Sequence, residues 1–319
     1  MGAYIVRRLI SVIPTLIGVT IVVFLVMRLL PGDVAGMILA GDGESGSSGN
    51  MEARETLREQ LGLNLPLHEQ YFTWIGGLLQ GDAGLSLWSG RPVLDEIGRR
   101  IPLTIELALL SIAIAMGIGL PAGMIAALKQ DSWVDYALRG LSIGGLAMPP
   151  FWLGTLLMLF MVVWFNWTPP LGFVPFFTNP WMNLQQVIWP ALVLGYATAA
   201  VIARMTRSTM LEVLREDYVR TARAKGLPTT TLVITHTLRN AMLPILTLAA
   251  IEFGFMLNGT VIMETIFTLP GIGRYLIDAI LHRDYPVVQA IILMMAVSFV
   301  LVNLLVDLLY GVLDPRIRY

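Results

Sequence analysis

LEVLREDYVRTARAKGLPTTTLVITHTLRNAMLP, residues 211–244, is a polar island in an apolar chain. It carries Glu212, Arg215, Glu216, Asp217, Arg220, Arg223, Lys225 and Arg239, in a protein of 319 residues of which only 13% are charged. Long apolar runs precede and follow it. Hydrophobic residues make up 56% of the chain and the mean hydropathy is +0.72. A soluble domain is nearer 45–50% apolar and about 25% charged. The excess implies an all-α integral membrane protein, and the island is then a segment that meets water while spans on both sides hold it.

The local spacing gives the island a shape. Leu211, Leu214, Tyr218, Ala222 and Lys225 recur at three or four residues and predict a helix over 211–225 with one stripe. Arg215, Glu216, Arg220 and Arg223 lie mostly elsewhere around it. Gly226 stops the helix, since glycine accepts left-handed backbone angles, and Pro228 prevents simple continuation. Thr229 or Thr230 caps a second helix over 231–240 that leads back into the membrane. Helix, tight turn and helix at a membrane surface suit a docking element: a short rigid helix fits a groove, and movement of the groove pulls the spans. A solvated loop of ordinary charge is the other reading these residues allow.

Outward from the island, six transmembrane helices are expected. Residues 9–30, after Arg7 and Arg8, are long enough to cross about 30 Å of hydrocarbon. They exceed the ~7–15-residue core of a signal peptide, so a retained helix is expected, with Pro14 and Gly18 tolerated inside it. Residues 31–101 read as an extracytoplasmic region of short helices: a Gly/Ser stretch at 41–50, a helix from the Asn50 cap to the Gly62 stop, an amphipathic helix at 66–80 with Tyr71, Trp74, Ile75, Leu78 and Leu79 on its apolar side, and a third short helix at 93–100. Residues 102–319 then form a five-helix transmembrane core, with spans near 102–128, 136–165, 187–203, 241–266 and 286–312 and a cytoplasmic loop at 208–240. Ala115, Gly119 and Gly123 make a small-xxx-small face in the second span, or are merely tolerated there. Pro149-Pro150 interrupts the third. Cations concentrate on the loops that share a side with both termini. That bias places the termini and residues 211–244 in the cytoplasm and residues 31–100 outside.

Several chemistries are excluded. Cysteine is absent, and the three histidines, His68, His236 and His282, are far apart. There is no HExxH and no GxxxxGK[ST], so neither a zinc-protease helix nor a phosphate loop is present. No catalytic residue and no metal ligand is expected. A net charge of −1 suggests no nucleic-acid partner. A membrane-embedded enzyme needs a nucleophile–base pair or a metal cluster in the spans, and no His or Cys lies in one. Polar groups deep in lipid are functional candidates by default. Glu252, with Asn258 nearly two turns on, either lines a translocation pathway or pairs with a neighbouring helix for assembly. Glu106, Asn303 and Asp307 lie nearer the span ends. Glu264, Pro270, Gly271 and Gly273 form a turn at the outer end of the fifth span: an outer gate, a contact for an external protein, or a simple hairpin. Glu252 would also suit an ion-coupled carrier, which leaves the helix–Gly–helix loop without a purpose.

The island resembles the characteristic cytoplasmic loop of permease subunits of binding-protein-dependent ABC importers, whose pattern is EAA, three residues, Gly, nine residues, then I-x-L-P. Here Arg220-Thr221-Ala222 stands at EAA, Arg223-Ala224-Lys225 and Gly226 follow, His236 and Leu238 take the I and L positions, and Arg239 replaces the Pro, with Leu243-Pro244 beyond. The wording DYVRTARAKG, together with LPGD at 30–33, GDAGLS at 81–86, ETIFTLPGIGR at 264–274, RDYPVVQA at 283–290 and LDPRIRY at the end, is similar to the dipeptide, oligopeptide, nickel and glutathione branch. The resemblance implies a type I importer permease fold in a bacterial or archaeal cell (inner) membrane. It also implies a second homologous permease subunit as heterodimer partner, two ATPase subunits and an extracytoplasmic substrate-binding protein. ATP and Mg are bound by the ATPases, with no cofactor in this chain. The implied coupling helix comprises Asp217, Tyr218, Arg220, Thr221, Ala222, Arg223, Ala224, Lys225 and Gly226. The implied function is ATP-driven import, by alternating access, of di- or oligopeptides or a glutathione-like peptide; nickel or another small solute is the alternative. Arg220 stands where the pattern has an acid, which leaves the contact made there open.

Overall fold

The computed structural model describes residues 2–29, 55–56, 58–59, 64–170 and 172–313, without the side chains of 2–9, 29, 258–259 and 306–313. The helix expected between Asn50 and Gly62 falls largely outside the described residues. The described residues are helical apart from loops and one isolated bridge between Leu85 and Pro92. The helices are α1 (Gly2–Leu29), α2 (Leu67–Leu79), α3 (Val93–Leu128), α4 (Trp133–Ala147), α5 (Pro150–Phe165), α6 (Pro180–Leu214), α7 (Asp217–Ala224), α8 (Arg239–Ile266), α9 (Ile272–Leu281) and α10 (Tyr285–Leu313). A single turn, Thr229–Thr231, and a π-helical stretch, Leu232–Leu238, lead into α8 without a break.

Two compact units share the chain: Met1–Val6, Pro102–Arg274 and Phe299–Tyr319 form one, and Arg7–Ile101 with Tyr275–Ser298 the other. In the unit that begins with Arg7, α2 packs on α1 through Tyr71 and Trp74, whose rings lie 5.5 and 6.1 Å from that of Phe24. The Thr20 hydroxyl meets the Tyr71 hydroxyl at 2.9 Å. Ile75 and Leu78 are half-buried, but Leu79, expected on the same stripe, points outward. Asp284 closes the 84–92 loop by accepting from the Ser86 hydroxyl and from the Leu87 backbone N–H at 3.0 Å.

In the other unit, the small residues of α3 are contacts, not tolerated gaps. A Cβ on Gly119 would stand 2.6 Å from the Ala199 carbonyl oxygen of α6, and one on Gly123 would overlap that of Ala203. One turn or more earlier, a Cβ on Gly195 would stand 2.9 Å from the Ser111 carbonyl. The paired positions rise together, so α3 and α6 are parallel. The chain must therefore return between them, and α4 and α5 carry it. Asp135 meets Arg207, Gly145 meets Tyr196 and Ala200, and Gly154 meets Met263 and Phe267. The pair thus climbs from the late end of α6 to the late end of α8, with a 98° bend between its halves. Pro149 has no N–H to continue α4, and Pro150 starts α5 at its first position. Among the described residues, five helices are long and apolar enough to cross a membrane, or six if the bent pair is counted as one span.

Other expectations shift. The helix at 93–100 and the span from 102 are one 36-residue helix, α3, with Pro102 inside it. The fourth span, expected near 187–203, lies inside α6, which is 35 residues long. Two apolar clusters lie along α3, α6 and α8. One joins Ala115, Ile202, Met210, Val233 and Ile245; the other joins Leu103, Leu107, Val187, Ala191, Met263 and Phe267. Hence α8 is antiparallel to α6. The 129–132 turn and the 208–240 loop share one end of this unit, and the 267–271 turn lies at the opposite end.

Replacing Gly119 by Val should lower the detergent-solubilised thermal midpoint, because overpacking costs about 1–3 kcal/mol. Gly117→Val, where a Cβ meets nothing within 4 Å, should leave the midpoint within error; equal losses at both would remove the close helix contact as the cause.

Candidate functional site

The island is not one helix over 211–225. The long rod of α6 ends at Leu214, and Glu216, in extended conformation with ψ 144°, breaks the path before α7 begins at Asp217. The turn is closed by Arg215 N–H to the Glu212 carbonyl and Glu216 N–H to that of Val213, both 3.1 Å. Within α7 the expected stripe also rotates. Val219 is the residue fully buried and Ala222 is half-buried, whereas Tyr218, Arg220, Thr221, Arg223 and Ala224, with Lys225 after them, are exposed.

Gly226 ends α7 as expected. Its φ is +78°, and its N–H bonds to the Arg223 carbonyl at 3.0 Å while Leu227 N–H bonds to that of Ala222 at 3.3 Å. This pair of bonds is a Schellman cap, which satisfies two carbonyls the helix would leave open and puts the left-handed residue after its last turn. Beyond Pro228, the expected helix over 231–240 is the π-helical segment and the first residues of α8. Its backbone makes i→i+5 bonds, a pattern that recurs at functional sites. Leu232, Val233 and Thr237 are buried in it. Asn240 ties the root of α8 to α7: its side-chain amide donates to the Tyr218 hydroxyl at 2.7 Å and to the His236 carbonyl at 2.9 Å. Asp217 and Arg220 form an exposed pair at 3.3 Å, of the kind that adds little stability.

The arrangement is a short helix seated on one valine and one tyrosine–asparagine hydrogen bond, with most of its surface outward. The outward face mixes Asp217 with Arg220, Arg223 and Lys225. Such a helix has too little buried area to be held there by packing alone, and its outer face is available to a partner.

The other expected site residues are arranged differently. Glu252 is half-buried on α8, with no hydrogen bond or ion pair to its carboxylate among the described residues. The side chains of Asn258 and Asp307 lie outside the described residues. Glu106 accepts from the Asn183 amide of α6 at 3.3 Å. Glu264 is fully buried. It accepts from the Thr104 hydroxyl at 2.7 Å and from Arg274 N–H at 3.0 Å, and Thr104 in turn accepts from Ile272 N–H at 3.0 Å. Any Cβ on Gly271 would overlap the Glu264 carboxylate, and one on Gly273 would overlap the Val261 backbone. The 267–274 turn is therefore wedged onto α3 and α8, with Pro270 half-buried in it. Thr104 escaped the sequence reading because a threonine inside an apolar run carries no hydropathy signal. Asp135 and Arg207 also escaped it. They are 72 residues apart and paired through both carboxylate oxygens at 2.8 and 2.7 Å.

Comparison with known proteins gives this geometry its context. Residues 119–319 match the family described as "Binding-protein-dependent transport system inner membrane component", and residues 1–108 match its N-terminal family, "Binding-prot-dependent transport system membrane comp, N-term". The chain belongs to the binding-protein-dependent permease family. It is 43% identical over 316 residues to the glutathione transport system permease protein GsiC of Escherichia coli (strain K12), covering 99% of each chain. It is 45% identical over 342 aligned residues to the dipeptide transport system permease protein DppB of the same strain, covering 100% of this chain and 99% of that one. Among solved structures, the MetNI methionine ABC transporter in inward-facing conformations matches with TM-score 0.57 at 16% identity, over 69% of this chain and 97% of that one. An amino acid ABC transporter with histidines matches with TM-score 0.52 at 16% identity, over 68% and 94%. At that identity the structural likeness shows the shared fold alone. The permease is a multi-pass inner-membrane component of an ABC importer and not an enzyme.

Replacing Glu264 by Ala should strand the Thr104 hydroxyl and Arg274 N–H in an apolar setting, at about 1–3 kcal/mol per buried polar group left unpaired. A clear fall in thermal midpoint is expected, with Glu264→Gln retaining most of it; an unchanged midpoint for the alanine variant would show that the cluster holds nothing together.

Proposed function

We propose that this permease carries peptides, of the dipeptide or glutathione size class, from an extracytoplasmic binding protein into the cytoplasm at the expense of ATP hydrolysed by partner subunits. The observation that carries the reading is end-to-end identity of 43–45% to permeases named for glutathione and dipeptide transport. The outward-facing α7 supports it from the side of mechanism. In this reading a second, homologous permease completes the pathway as a heterodimer partner. Two ATPase subunits bind ATP and Mg, and one of them receives α7 in a groove. The end bearing α7, and both termini, face the cytoplasm.

The physics of the stroke follows from the joints. Movement of an ATPase groove displaces α7, which turns about the 215–216 break and the Gly226 cap. Because the Tyr218–Asn240 hydrogen bond and buried Val219 tie α7 to the π-helical segment, the displacement reaches α8. That helix carries Glu252 and Asn258, assigned here to the translocation path, and ends at the Glu264–Gly273 wedge, assigned here to the outer gate. A half-buried carboxylate that meets no partner among the described residues suits a peptide's ammonium group. An ion-coupled carrier would need no α7.

Gly226→Val places a β-branched residue at φ +78°, where L-residues lose roughly 1–2 kcal/mol. The expected result is a complex that still co-purifies with its ATPases but imports dipeptide at least tenfold more slowly; unimpaired import would remove α7 from the coupling path. Glu252→Gln should raise the half-saturating peptide concentration in proteoliposomes while leaving assembly intact, and unchanged import kinetics would confine Glu252 to structure.

A further inference from the structure

A cavity of about 350 Å³ opens beside the end of α3, between α4 and α6, at the same end of its unit as the coupling loop. Its lining is apolar at Ala122, Ala126, Leu138 and Leu146 and cationic at Arg139, Arg204 and Arg207. The three arginines are not equivalent. Arg207 is committed to Asp135, which is fully buried and also accepts the Asp131 N–H at 3.1 Å. Arg139 and Arg204 are exposed, and no carboxylate forms an ion pair with either among the described residues. Arg139 lies 5.8 Å over the ring of Tyr136. Other acids at this end are Asp131, on the 129–132 turn, and Glu212, which meets Ser208 at 3.5 Å.

We propose that this cavity seats one anionic phospholipid, with its phosphate between Arg139 and Arg204 and the start of an acyl chain on the apolar lining. Three observations select that occupant. The lining combines apolar side chains with arginines in one cavity, as a lipid combines chain and headgroup. Trp133, 80% exposed, and Tyr136 stand on the same helix, and such aromatic residues favour the depth of the headgroups. Arg139 and Arg204, neither ion-paired among the described residues, can both donate to the oxygens of one phosphodiester, and basic pockets between spans take anionic headgroups. A free phosphate would leave the apolar lining uncovered. The lipid would bridge α4 to α6 ten residues before α6 ends at Leu214, steadying the rod from which α7 hangs.

The test uses the assembled transporter in neutral detergent, titrated with phosphatidylglycerol or phosphatidylcholine, and reads thermal midpoint and retained lipid by native mass spectrometry. Wild type should be stabilised by phosphatidylglycerol and not by phosphatidylcholine or inorganic phosphate. The double variant Arg139→Gln/Arg204→Gln should bind phosphatidylglycerol about 30-fold more weakly, at roughly fivefold per arginine near an anionic headgroup, and Arg139→Lys/Arg204→Lys should retain most of the binding. Equal stabilisation of wild type by the two lipids overturns the proposal, whether or not the variants assemble. Undiminished phosphatidylglycerol binding by the glutamine variant also overturns it, and loss of the second permease chain alongside would mark the face as a subunit contact.

Discussion

Backbone touches backbone where α3 crosses α6. At Gly119 and Gly123 there is no room for a single carbon atom between one helix and the carbonyls of the other. In lipid, apolar side chains gain little by leaving one apolar environment for another, so helices associate through such close packing. The contact sets the two helices parallel. From that relation it follows that α4 and α5 must return the chain; the two apolar clusters then set α8 antiparallel to α6 and put the 208–240 loop and the 267–271 turn at opposite ends.

The two ends are finished in contrasting ways. At one, Glu264 is buried against Thr104 and the backbone of the turn, and Gly271 leaves no space for movement around the carboxylate. A buried carboxylate is tolerable only when its oxygens are satisfied, so the turn and the acid enforce each other. At the other end, the Asp135–Arg207 pair locks α4 to α6, but α7 beyond it is held by little more than Val219 and one tyrosine–asparagine bond. The firm end resists deformation, and the light one suits the handle proposed above. A helix that is to transmit movement must be rigid in itself and loosely attached to its own chain, and the Schellman cap at Gly226 with the break at 215–216 is compatible with both.

Much of this was legible before any coordinates. Gly226 followed by Pro228 marks a stop that few alternatives fit, because glycine alone adopts φ near +78° without strain. The small-residue spacing on α3 pointed to a packing face, and the Pro149-Pro150 step to an interruption. Boundaries were less legible. Pro102 was read as a division, yet it sits inside α3, since a membrane helix can lose one backbone bond when neighbours cover the gap. The stripe drawn through Tyr218 assumed one unbroken helix across Glu216; the break rotates the register and makes Val219 the inward residue.

What the sequence by itself determined is the class of object: an all-helical membrane chain with a charged island between spans and a glycine stop within it, because hydropathy over twenty residues and the angles open to glycine and proline are local properties. Which side chains share a site was decided only by tertiary structure. Asp135 with Arg207 and Thr104 with Glu264 are 72 and 160 residues apart. They meet because helix packing brings those levels together, and no local rule of spacing contains that information.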